Sequence, residues 1–163
     1  MSTNRMLGLA LVVALGVIGG VLLWRLWRGE LRVPSAQDAD YEEWLTATAR
    51  PVLIHKVSPA LVRLMDCVEA KDPDCICNPS IMPDRSEFLA EIKARQRQVP
   101  AGLASLHSAL DDAVTKYQRL RQSVQSFCGR GASLSGIPGL ANELERCAKA
   151  RDKAAAKLEA YER

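Results

Sequence analysis

Cys67, Cys75 and Cys77 crowd a short stretch that also holds Asp72, Pro73, Asp74, Asn78 and Pro79. Thiols at that density suggest three chemistries. Zinc accepts four nitrogen or sulfur ligands, so three thiolates and His55 would supply a set, but Cys-x-Cys is tighter than the usual C-x₂₋₄-C knuckle and no second pair follows. A redox thiol usually opens a helix within a βαβ unit, and no such pattern surrounds these residues. Structural disulfides are the leading reading. Cys67 ends a helical pattern and Cys77 lies in a loop, so a Cys67–Cys77 ring closes with little distortion. The sequence therefore predicts no metal and no cofactor.

Cys128 and Cys147 form the second candidate pair. In a hairpin centred near residue 133, position 128 faces about 138, and Cys147 lies roughly 13 Å further along the helix axis. Bonded cysteines keep their Cα atoms within about 7 Å. Pairing thus requires staggered helices, which Gly129, Gly131 and Gly136 would permit; otherwise Cys147 bonds elsewhere or remains a core thiol facing Leu120. Cys75 is left over as a free or intermolecular thiol. The thiol-dependent alternative, a redox or metal-handling role for Cys67, Cys75 and Cys77, rests on the same residues.

Nothing else in the chain points to catalysis. His55 and His107 are the only histidines, and neither has a carboxylate and nucleophile at a recognisable spacing, so both read as surface or boundary residues. No nucleophile elbow, phosphate loop, dinucleotide fingerprint or H-E-x-x-H occurs. The sequence predicts a non-enzyme without an evident small-molecule substrate.

Charge is unevenly placed. Arg5, Arg25, Arg28 and Arg32 against Glu30 hold the whole formal excess of +3, while the rest is balanced. A neutral remainder lacks the basic footprint that nucleic acid needs. Met6 to Trp24 is uncharged, and as a helix it is long enough for a ~30 Å hydrocarbon layer. Trp24, Arg25, Trp27 and Arg28 follow as an interfacial anchor instead of a small-residue cleavage site. The predicted organisation is a transmembrane anchor with a basic flank over 1–32 and a soluble helical domain over 33–163. Arg25, Arg28 and Arg32 against Arg5 mildly favour a cytoplasmic second part by the positive-inside rule. The cysteines confined to that part argue instead for the oxidising, periplasmic side of an inner membrane, and this is the predicted orientation.

The elements that carry these residues follow from hydrophobic spacing. Ser35 caps a first helix to about Arg50; a second, with Ile54, Val57, Leu61, Leu64 and Val68 on one face, is restarted or kinked at Pro59. Lys71 to Pro83 reads as a loop. From Asp84 a three-four alternation runs through Leu89, Ile92, Val99, Leu103, Leu106, Leu110, Tyr117, Leu120, Val124 and Phe127, with unbroken phase across Pro100, which predicts a kinked continuous helix. A second seam, with Leu140, Leu144, Cys147, Arg151, Ala154 and Leu158, zips onto it as an antiparallel coiled-coil hairpin. The fold class is all-α: an anchor helix, then a small bundle built on that hairpin. Leu103, Leu106, Leu110, Tyr117, Leu120, Val124, Phe127, Leu140, Leu144 and Leu158 are the candidate interaction seam for a protein partner or self-association. In plan, one anchor followed by coiled-coil segments, the chain resembles phage inner-membrane spanins.

Overall fold

The structure is a computed structural model and describes residues 36 to 162. The predicted anchor and its basic flank lie outside the described residues. Among the described residues every regular element is helical, and no helix is long and apolar enough to cross a membrane.

Residues 36 to 69 form one helical run. It comprises α1 (Ala36–Trp44), α2 (Arg50–Val52) and α3 (Ser58–Glu69), joined by π-turns at Leu45–Ala49 and Leu53–Val57. The two prolines explain both turns. Pro51 and Pro59 offer no N–H, and their rings crowd the carbonyl four residues back. The residue before each reaches back five positions instead: Arg50 N–H bonds Leu45 O and Ser58 N–H bonds Leu53 O, where the Ser58 hydroxyl also donates at 2.9 Å. The wider turns also keep the apolar stripe in line. Tyr41, Leu45, Ala49, Leu53, Val57 and Leu61 are all buried at a constant step of four. In an α-helix such a stripe drifts about 40° per step, and an extra residue per turn cancels that drift. The helix accordingly neither ends near Arg50 nor restarts at Pro59, and Leu53, not Ile54, faces the core.

The chain reverses after α3 at Lys71, whose φ is +52°. A single turn, α4 (Pro73–Ile76), follows inside the segment read as loop, with the Asp72 carboxylate accepting from the Asp74 and Cys75 amides at 3.0 and 3.1 Å. Helix α5 (Ser86–Arg95) buries Phe88 and Ile92, and just ahead of it Asp84 accepts from the Ser86 amide at 3.0 Å.

Continuity through Pro100 is not observed. After α5 a 3₁₀ turn covers Gln96–Gln98, Val99 and Pro100 are extended, and a second 3₁₀ turn, Ala101–Leu103, leads into α6 (Ala104–Gly129). Proline disfavours the helical region for its predecessor, and at Val99, unlike at Arg50 and Ser58, that preference outweighs the helical phase. The hairpin itself is present. Helix α7 (Ile137–Glu162) returns along α6 in the most extensive helix pairing of the fold. Its register is fixed at both ends: a Cβ at Gly136 would stand 3.0 Å from the Phe127 ring, and Lys157 hydrogen-bonds Ser105. Gly131, at φ +89°, makes the turn between them. The lighter second seam is covered within the chain, because α3 packs across α7.

Candidate functional site

Four of the five cysteines are bonded, in pairings the sequence did not give. The bonds are Cys67–Cys75 and Cys77–Cys128, and Cys147 is free and buried. The Cys67–Cys77 and Cys128–Cys147 pairings are therefore corrected, and so is the placing of Cys75 as the spare thiol. The reasons are local. The reversal at Lys71 and the cap at Asp72 wind residues 73 to 76 into a turn, which returns Cys75 to within 5.5 Å of Cys67 between Cα atoms. Cys77, two residues on, meets the end of α6 at 5.6 Å from Cys128. With Phe127 beside Gly136 and Ser105 beside Lys157, the hairpin carries no stagger, so Cys147 lies opposite about residue 116, roughly 18 Å from Cys128 along the axis. Burial pushes the Cys147 thiol up to about 12, against the pull of the nearby Arg151 guanidinium. Arg151 itself, placed on the seam by spacing, meets the Asp152 carboxylate at 2.8 Å.

The same loop is clasped by side chains of α6. The Tyr117 hydroxyl donates to the Pro83 carbonyl at 2.9 Å, Arg121 Nε donates to the Met82 carbonyl at 3.1 Å, and Gln118 Nε2 donates to Asp84 Oδ1 at 2.9 Å. The Gln118 amide, the Ser86 amide and Arg121 together hold the Asp84 carboxyl down at about 2. Ile81 and Met82 are buried beneath this clasp. Spacing had marked Tyr117 only as seam; nothing in it signalled that α6 would grip residues 82 to 84.

The seam residues are indeed brought together, but against each other. Leu106, Leu110, Tyr117, Leu120, Val124, Phe127, Leu140, Leu144 and Leu158 are buried, and Leu103 is partly buried against the same core. They form the inner joint of the domain, so they are not an open surface for a partner. The exposed large apolar side chains among the described residues are Val62, Met65 and Leu134.

His55 is exposed, whereas His107 is 1% exposed, so the surface or boundary reading of His107 is corrected. Its Nδ1 lies 2.8 Å from the Tyr41 hydroxyl and ties α1 to α6 inside the core. Trp44 packs at a tilt against Tyr41, ring centroids 5.4 Å apart, with the Arg95 guanidinium 5.1 Å over its ring and bonded to Asp40. The neutral imidazole satisfies the bond to Tyr41 in either tautomer. Burial holds the His107 pKa below its usual value, with Asp111 opposing, and the same burial pushes Tyr41 up to about 12. A lowered native pKa means that the unfolded chain binds the proton more readily. Stability is thus complete above about pH 6.5 and falls as the pH drops below it. Thermal melts between pH 7.5 and 5.5 should show this decline, and the Tyr41→Phe/His107→Leu double variant should flatten it; an unchanged slope would remove the buried imidazole as its source.

Among the described residues, no three His, Cys, Asp or Glu side chains converge to hold a metal ion. Comparison with protein-family models, with curated proteins and with solved structures finds no match to this chain.

Proposed function

We propose that this chain is a single-pass, membrane-anchored helical interaction subunit, and that its disulfide-braced domain stands on the oxidising side of the membrane. The observation that carries the proposal is the pair of disulfides. Cys67–Cys75 and Cys77–Cys128 fasten residues 70 to 85 to two different helices, and bonds of this kind persist where thiols are not kept reduced. The uncharged run Met6 to Trp24, with its tryptophan and arginine flank, supplies the anchor. The long exposed helix faces of α6 and α7 support a role in contact with another protein.

The thiol-dependent alternative is narrowed by the pairing, since Cys67, Cys75 and Cys77 are divided between two bonds and do not form one ligand set. What favours it is a cleft of about 230 Å³ along the Cys77–Cys128 bond, lined also by Arg121 and Met82. Titration against a thiol buffer separates the two: a bond resistant to the glutathione range is structural, and a readily reduced one is redox-active.

Orientation is tested through an engineered thiol at the exposed hairpin turn, because Cys147 is buried and the other cysteines are bonded. Ser133→Cys in the full-length chain should react with a membrane-impermeant maleimide in intact spheroplasts. Protection of that thiol until lysis would reverse the orientation.

A further inference from the structure

From residue 113 to residue 142 the chain contains no Asp or Glu, and Lys116, Arg119, Arg121 and Arg130 are its charges. Arg121 turns inward to the loop at Met82. The others border a groove between α6 and α7 on the half of the hairpin nearer its turn. Two clefts of about 390 and 330 Å³ share Ser123, Ser126 and Glu143 and so form one channel. Leu120, Phe127 and Leu140 make its floor, and Arg146 joins the rim from α7. Acidic groups near it are few. Asp112 is spent on Lys116 at 2.8 Å and Glu145 on Lys149 at 2.6 Å, which leaves Glu143 against the exposed Arg119, Arg130 and Arg146. Leu134, 63% exposed, stands in the turn beside the open end.

We infer that this groove is a docking surface for an acidic amphipathic helix of a partner protein. The inference rests on the proposed role in protein contact and names the chemistry of the partner. Two helices packed side by side leave a concave lane into which a third fits, and serines on its α6 wall allow a close approach. The basic rim selects carboxylates on the incoming helix, and the apolar floor with Leu134 receives its hydrophobic edge. A lipid surface would meet a flat or convex basic face, whereas these cations flank a channel.

The test uses full-length protein in nanodiscs of zwitterionic lipid. The probe is a fluorescent helical peptide with Leu at heptad positions a and d and Glu and Ala elsewhere, compared with its Lys-for-Glu counterpart by anisotropy. The acidic peptide should bind at least about tenfold more tightly, and more weakly as salt rises. Arg119→Glu/Arg146→Glu should lose about tenfold or more of that binding with an unchanged melting temperature, since both side chains are exposed, while Lys93→Glu on α5 should retain it. Equal binding of the two peptides, no binding, or an unaffected double variant would overturn the inference. So would a groove that binds only phosphatidylglycerol vesicles, or one consumed by self-association of the chain. The Ser133→Cys labelling reads orientation independently, so failure of peptide binding beside intact labelling removes the docking surface alone.

Discussion

Replacing both Cys77 and Cys128 with alanine is expected to lower the stability of the domain by about 4 kcal/mol, against about 2.5 kcal/mol for the Cys67→Ala/Cys75→Ala pair. The difference comes from the loops they close, with sequence separations of 51 and 8. A longer loop removes more freedom from the unfolded chain, and its cost grows only with the logarithm of length. Of a typical domain stability of about 5–15 kcal/mol, either loss is a large fraction. The Cys77–Cys128 loss should also loosen residues 78 to 85, which are then held by the Tyr117, Gln118 and Arg121 clasp and the burial of Ile81 and Met82. Urea unfolding of the two double variants checks the order. If the short-loop pair proved the more costly, chain entropy would not be the main contribution of these bonds.

Leu110→Asp should unfold the domain, because it places an unpaired charge in the core of the hairpin. Leu110 is 0% exposed and sits between Ala109 and Ala113 on the inner face of α6. Removing its methyl groups costs about 2–5 kcal/mol on its own. An unpaired carboxylate in the same place adds the expense of burying a charge, about 3–5 kcal/mol where no partner compensates. Together these exceed the stability of many domains, so circular dichroism should report lost cooperative melting at 25 °C. Val62→Asp, at a side chain 44% exposed on α3, is the control and should shift stability by about 0.5 kcal/mol or less. Wild-type melting of Leu110→Asp would mean that α6 does not bury this face.

The hairpin and its seam were legible in the sequence because heptad spacing and burial are one and the same signal: Leu106, Leu110, Tyr117, Leu120 and Leu144 recur where a helix must face a neighbour. The break at Val99–Pro100 was not, because periodicity there competed with the restriction proline places on the residue before it. The π-turns escaped for a related reason. A step of four from Tyr41 to Leu61 fits neither an α-helix nor a heptad until the two prolines are allowed to widen the turn. Of the site, the cysteines were identifiable as disulfide formers but their partners were not, since the pairing depends on one turn at Pro73–Ile76 that a proline- and aspartate-rich segment conceals. His107 illustrates the remaining gap. Its burial follows from Tyr41, 66 residues away, offering a hydroxyl at 2.8 Å, and no local pattern contains that contact.

Peptide mapping of the two disulfides tests most directly whether the loop over residues 70 to 85 is fastened through these particular bonds in an oxidising compartment. Cells are quenched with an alkylating reagent, and the full-length protein is unfolded in the same reagent and digested without reduction. Mass spectrometry should find peptides linked through Cys67–Cys75 and Cys77–Cys128, with Cys147 alkylated only after unfolding. Five alkylated cysteines, or links through Cys67–Cys77 or Cys128–Cys147, would contradict it.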